Sequence, residues 1–427
     1  MPYLLRILRL RAAAVLVLTI APAYAACAQS DPVLTLSEAE QLALERDPVI
    51  AQLEAQSAAF AELAVSEGQL PDPELSLGLA EIPLDNFDLG DHEDTEIRLG
   101  LSQAFPPGRT LRHRSERMGA MAGAERARVL NQHLSVLRAL RAAYVERYYQ
   151  RETRRILDLN RDLFQEMVDV TEQQYAQGRG NQHDVTRAQL ELSLIEDRIE
   201  ETRGAIEVAR AELSKWVGAG DAARPLPPDE PVIAAPVPPH ELVARLPGHP
   251  LLAADDAAIE AAQKSVAIAQ EQYKPQWMLD FMVSENTGSA FDQRSGPDFA
   301  GVFLKMSLPI FTDKRQDRQL AASRQDAIAV RFGRADRLRE LTREIEAEFA
   351  NLSRLERRLE LYSKRATVEA AQTREAAFNA YQNDLIDFES LVRSRVLALE
   401  TDLEMLRIRA ELLKSRISLR YFTGESS

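Results

Sequence analysis

The sequence predicts a mainly α-helical chain with a small β part, written twice. Long proline-free runs repeat apolar residues every three or four positions, as packed helices do. Four short segments alternate apolar and polar residues, as strands with one wet face do. Residues also recur at an offset of 206: Tyr175 with Tyr381, Arg187 with Arg393, Arg210 with Arg416, Leu213 with Leu419, Gly218 with Gly424, Phe105 with Phe311 and Arg109 with Arg315. Nearer the start the offset drifts, pairing Asp47-Pro48 with His249-Pro250 and Pro71 with Pro275. Colinear matches over most of the chain indicate an internal duplication.

The N-terminus carries Arg6, Arg9 and Arg11, then the apolar run Ala12–Ile20, then small residues at Ala23, Ala25 and Ala26. Basic, apolar and small-residue regions in that order predict a secretory signal peptide over residues 1–26. Its removal takes the net charge from −14 to about −17, which argues against a nucleic-acid partner. Cys27, the single cysteine, cannot form an internal disulfide. Two readings of it stand. "YAAC" fits a lipoprotein site with Cys27 lipidated, although Tyr24 replaces the usual aliphatic residue; ordinary cleavage after Ala25 or Ala28 fits as well.

The rest divides into a first repeat (27–223), a proline-rich connector (224–240), a second repeat (241–424) and a short tail (425–427). The connector "RPLPPDEPVIAAPVPPH" holds seven prolines, so a stiff, non-helical segment is expected. Each repeat opens with a helix. The first is expected over Ser37–Gln69, with Ser37 as N-cap and Glu40 three residues on. The second is expected over His240–Tyr273, interrupted near Pro247 and Pro250.

Strand pairs follow. Leu75, Leu77 and Leu79 oppose Glu74, Ser76 and Gly78; Ile97, Leu99 and Leu101 oppose Glu96, Arg98 and Ser102. In the second repeat Trp277, Leu279, Phe281 and Val283 oppose Asp280 and Ser284, and Ala300, Val302, Leu304, Met306 and Leu308 oppose Gly301, Lys305 and Ser307. Lengths near ten residues suit tilted strands crossing a bilayer; a small soluble sheet packed on helices is the competing reading. The joining loops, 83–94 and 285–298, are long and polar. Four strands cannot close a barrel, and open edges do not survive in lipid. Strands in a membrane would therefore require chains to associate, and three chains would supply 12 strands.

Two long helices close each repeat. From Val185 the series Ala188, Leu192, Ile195, Ile199, Thr202, Ile206, Ala209, Leu213, Trp216 steps alternately by three and four, a coiled-coil seam. The run from Thr110 to about Gln177 lacks proline and would span roughly 100 Å. Between them lies "YAQGRGNQHDVTRAQ", with a worn copy at "YQNDLIDFESLVRSR".

In combination, "LTLSEAEQLALERDPVI", "LPDPELSLGL", "SQAFPPGR", "MSLPIFTDKR" and the pattern at Tyr175, Gly178, Asp184, Val185, Ala188, Gln189 and Leu192 resemble the TolC family of outer-membrane efflux channels over nearly the full mature length. The strand-pair version is closer to the CusC/CzcC-like cation-efflux branch. The resemblance implies a homotrimer. Its strands would form a 12-stranded barrel in outer-membrane lipid, and its helices a tunnel through the periplasm. The tunnel tip would dock a periplasmic adaptor protein and an inner-membrane pump of the RND type, and the exported substrates would be metal cations or drugs.

The resemblance further assigns the tip, its gating and adaptor docking to Tyr175, Gly178, Asp184 and Arg187 and to Tyr381, Asp384, Ser390 and Arg393. Many drug-type members carry a tyrosine, a glycine three residues on, then an aspartate pair. Here Tyr381 is kept, Asp384 stands at the glycine place, and Ser390 and Arg393 stand at the aspartate places, with Asp387 and Glu389 nearby. An aspartate ring of that kind does not carry over.

Enzyme signatures are lacking, so no enzymatic activity, catalytic residue or cofactor is expected. "GRGNQ" has no following Lys-Ser/Thr and no preceding strand, which a phosphate loop would need. His92, His113, His133, His183, His240 and His249 lack metal-ligand spacing; Met118 and Met121 read as packing. Glu344, Glu346 and Glu348 read as a solvated face, although acids lining a tunnel would favour cations. Two alternatives compete with a channel. A periplasmic adaptor would need many short strands and no duplication; an exported coiled-coil scaffold would lack lipid-facing strands.

Overall fold

A computed structural model describes residues 33–82, 95–286, 298–383 and 385–424. The signal peptide, Cys27, the loop segments 83–94 and 287–297, Asp384 and the tail lie outside the described residues.

The first helix is two. Helix α1 (Leu36–Arg46) is capped by Thr35, whose Oγ1 accepts from the Glu38 N–H at 3.3 Å, rather than by Ser37. Helix α2 (Pro48–Ser66) starts afresh at Asp47, whose Oδ1 accepts from the Val49 and Ile50 N–H groups at 2.9 Å each. Pro48 lacks the N–H that would continue α1, and its fixed φ favours a first helical turn.

Strands β1 (Glu74–Ala80) and β2 (Glu96–Phe105) precede α3 (Thr110–Ala176), an unbroken helix of 67 residues. Then come α4 (Gln182–Val217), the short α5 (Ala219–Ala223) and a non-helical connector leading to α6 (Pro239–Arg245). Arg151 of α3 grips that connector, donating to the carbonyls of Leu226 and Pro227 at 2.9 and 2.7 Å and of Pro228 at 3.2 Å. A 3-10 turn leads into α7 (Pro250–Glu271), followed by β3 (Trp277–Asn286) and β4 (Phe299–Met306). Helix α8 (Gln316–Leu361) passes through a wide π-turn, Tyr362–Ala366, into α9 (Thr367–Gln382), and α10 (Phe388–Tyr421) returns.

His249 occupies the place of Asp47 in the second half. Its buried ring accepts from the Leu251 N–H through Nδ1 at 3.2 Å and donates through Nε2 to the Tyr421 carbonyl at 3.1 Å. Both bonds require the neutral Nε2–H tautomer, and burial holds the ring's pKa below the usual histidine value.

The strands form one antiparallel sheet in the order β1-β2-β3-β4, so the two halves of the chain meet at β2–β3. Leu77 lies opposite Leu99, Leu101 opposite Phe281, and Phe281 opposite Val302. The helical core runs lengthwise. One cluster holds Leu242, Leu246, Leu252, Ile345 and Leu355 around the α7 start; another holds Leu34, Leu140, Tyr144 and Leu213 under α1. Every residue of the predicted α4 seam is buried or half-buried, with Leu213 fully enclosed.

Candidate functional site

The two helical hairpins turn at the end of the molecule far from the sheet. In the first turn the chain folds back over the last turn of α3. The Gly178 N–H donates to the Tyr175 carbonyl at 3.0 Å, and the Arg179 and Gly180 N–H groups donate to the Gln174 carbonyl at 2.9 and 3.1 Å. The two glycines serve different needs. Gly178 has φ +74°, which L side chains rarely adopt; a Cβ on Gly180 would sit 3.2 Å from Gln174 Cβ and the Tyr175 nitrogen. Asp184 stands in the first turn of α4, where a carboxylate suits the helix dipole.

The second turn uses other means. Asp387 caps α10: its Oδ1 accepts from the Ser390 N–H at 2.9 Å, and hydrogen bonding from the Ser390 hydroxyl, then from its N–H, holds the carboxyl below the usual aspartate range. Ser390 thus enters through its hydroxyl as well as its backbone. Arg187 and Arg393 make similar local pairs, with Glu191 at 3.0 Å and Glu389 at 2.7 Å.

The turns meet. The Tyr381 hydroxyl donates to Gln174 Oε1 at 2.8 Å, and its ring stacks edge-on against Phe388 at 5.9 Å. Behind this contact lies a cleft of about 600 Å³ between α3, α9 and α10, lined by Met167, Phe378, Tyr381, Phe388 and Arg395 among others. The Arg395 guanidinium lies 5.5 Å from the Phe378 ring centre, and burial lowers its pKa. Further up the same groove a cleft of about 550 Å³ gathers Arg155, Arg374 and Arg409 around Asp402, whose carboxyl is pushed up by burial.

Of the tip residues expected from sequence, Tyr175, Gly178, Asp184 and Arg187 lie in and beside the first turn, and Tyr381, Ser390 and Arg393 flank the second. Asp384 lies outside the described residues. Sequence reasoning missed Gln174 and Arg395, which no local pattern marks. It also missed the capping role of Asp387, which the Asp-x-x-Ser spacing signals.

At the other end the sheet exposes one apolar face, with Leu75, Leu77 and Leu304 at 72%, 75% and 65% exposure. The opposite face carries ion pairs: Asp280 with Lys305 at 2.9 Å, and Arg98 with Glu96 and Glu81 at 2.9 and 3.2 Å. Among the described residues, no helix is long and apolar enough to cross a membrane, and no group of acidic, histidine or cysteine side chains could hold a metal ion.

Residues 39–219 match the family model described as outer membrane efflux protein. No curated protein sequence matches the chain. Solved structures share its fold. The outer-membrane channel OprN is 19% identical, with 92% of this chain and 90% of that one covered at a TM-score of 0.77. The outer membrane protein VceC of Vibrio cholerae is 18% identical, with 92% and 97% covered at 0.76. CusC, whose crystal structures concern transmembrane channel formation, is 15% identical, with 91% and 92% covered at 0.78. The outer membrane efflux protein model thus matches residues 39–219, and the fold of these channels runs along nearly all of the chain.

Proposed function

We propose that the chain is the outer-membrane channel subunit of a tripartite efflux system. Three copies form a passive conduit that exports metal cations or drugs, with a periplasmic adaptor and an RND-type inner-membrane pump as partners. One observation carries this most directly: a four-stranded sheet with an exposed apolar face and two open edges sits at the end of a 67-residue helix. In water such a face and such edges are an aggregation hazard. In lipid the face is solvated, and the edges are satisfied by ring closure with other copies. At 1.5 Å per residue α3 reaches about 100 Å, the scale of a wide compartment rather than of a globular core. The chain itself performs no reaction in this scheme; the pump supplies the energy.

The hairpin turns, with Tyr175, Gly178, Asp184, Arg187, Tyr381, Asp384, Ser390 and Arg393, are proposed as the gated periplasmic end where the adaptor docks. The closeness of the strand-pair motif to the cation-efflux branch favours metal cations as cargo.

Purification tests the proposal. Detergent-extracted protein should be trimeric by light scattering and conduct ions in planar bilayers. A soluble monomer obtained without detergent would overturn it and favour an exported scaffold.

A further inference from the structure

A groove runs along α3 where it meets α9 and α10. The clefts of about 550 and 600 Å³ join in it, and Leu163 lines both. Helix α10 packs against α3 and against α9, so every wall comes from one copy of the chain. Those walls carry apolar side chains that the fold leaves uncovered. Leu159 and Val170 of α3 are 57% and 45% exposed, and Phe378 of α9 is 39% exposed.

Charge in the groove runs against that of the chain. The protein carries a net −14, and arginines elsewhere on α3 and α10 are neutralised: Arg154 by Asp158 at 3.3 Å, Arg161 by Glu196 at 3.5 Å and Arg407 by Glu404 at 2.6 Å. Among the described residues, Arg374, Arg395 and Arg409 have no acidic oxygen within 4.0 Å. The Arg409 guanidinium rests on Met405 Sδ at 3.9 Å. Arg395 is half-buried, and its Nε is enclosed without a hydrogen bond. Two acids also line the groove, the half-buried Asp402 and the exposed Glu166, and neither forms an ion pair among the described residues.

A guanidinium withdrawn from water without an anion is costly. The Phe378 ring offsets part of that cost for Arg395, but it does not satisfy the Nε–H. A small inorganic anion would leave the apolar walls in water. A neutral apolar molecule would leave Arg395 unpaired, and a cation would meet two guanidiniums.

We infer that the groove binds an amphiphilic organic anion, a molecule with one acidic head and an apolar tail. Arg374 stands one helical turn from Phe378 on α9, and Arg395 lies against the same ring. Arg374 lines one cleft and Arg395 the other, so the two flank the junction where the head sits. Their closeness shows in the Arg395 pKa, lowered first by burial and then by the like charge of Arg374. The tail follows the cleft of about 600 Å³ past Val170, Phe378 and Phe388, toward the Tyr381–Gln174 bond, whose residues line the same cleft. That volume is ordinary for a small-molecule site. The bound anion touches α3 on one side and α9 and α10 on the other, so it favours the arrangement in which the two hairpins are tied. The inference goes beyond the channel reading: the site lies within one copy, and its ligand is part of the wall rather than cargo.

A fluorescent sulfonate tests the site. The full chain in lipid nanodiscs is titrated with 8-anilinonaphthalene-1-sulfonate, which brightens in apolar surroundings, and the signal of empty discs is subtracted. Saturable binding is expected, displaced by decanoate but not by decyltrimethylammonium, which has the same tail and the opposite charge. Arg395→Met should weaken binding roughly tenfold without lowering the melting temperature, because Arg395 has no ion pair to lose. Arg161→Met, on the paired face of α3, should leave binding unchanged. Val170→Trp fills the cleft from an exposed position and should abolish binding even if Arg395→Met folds poorly. Absence of saturable binding, equal displacement by the cation, or binding that survives either groove variant overturns the inference. Any of these in a protein that is trimeric and conducting leaves the channel reading standing. A protein that binds the sulfonate as expected but neither associates nor conducts refutes that reading alone.

Discussion

Tyr381 and Gln174 are 207 positions apart and share a hydrogen bond of 2.8 Å that ties the second hairpin turn to the first. The bond is partly buried, so the hydroxyl contributes about 1 kcal/mol to holding the turns together. Tyr381→Phe keeps the ring against Phe388 and removes the tie. Single-channel recordings should show a larger or more often open conductance, with trimer yield unchanged. An unaltered conductance would place the constriction elsewhere.

Arg393 tests the tip by charge. Its pair with Glu389 is exposed and so adds little to stability. Arg393→Gln should leave the melting temperature and assembly as they are while changing conductance or gating.

His249 predicts a pH dependence. The folded chain holds this ring neutral, with its pKa below the value it takes when unfolded. Stability from this group is present above about pH 6.5 and is lost as pH falls toward the folded pKa, because the unfolded chain takes up the proton first. Helical circular dichroism during thermal melts should show a lower melting temperature at pH 5 than at pH 7.5. His249→Asn retains an N-capping acceptor and should flatten that dependence.

Gly108 and Gly119 make a matched pair. Gly108→Ala brings a methyl onto Glu271 at positive φ and should cost several kcal/mol, read as lost trimer in the membrane. Gly119 lies within α3 with nothing within 4 Å of a Cβ, so Gly119→Ala should gain about 0.5–1 kcal/mol.

The net charge of −14 motivates a last measurement. Acids lining the proposed tunnel would set a negative potential, so bilayer reversal potentials under a salt gradient should report cation preference. Anion preference at neutral pH would refute it.

Much of the fold was legible because period and chemistry agree locally. The alternation of Leu75–Leu79 and the three-four spacing from Val185 to Trp216 each state which face is covered. The break at Asp47-Pro48 was visible as a dipeptide, but a continuous apolar pattern on both sides hid it. The tip was legible in part. Glycines announce a turn, whereas the Gln174–Tyr381 bond and the Arg395 cleft arise where α3 meets α9 and α10 from distant parts of the chain. No local spacing records such a meeting.

The π-turn at Tyr362–Ala366 has a mechanical consequence. The first hairpin rises through α3 without interruption, while the second passes through a wide turn between α8 and α9. Such turns loosen the regular hydrogen-bond ladder of a helix and mark where it yields. A ring of three copies would show six nearly equal arms in outline, yet only alternate arms would have a compliant joint. A load at the tip would bend three staves and leave three rigid, so the wall would deform with three-fold symmetry however six-sided it looks.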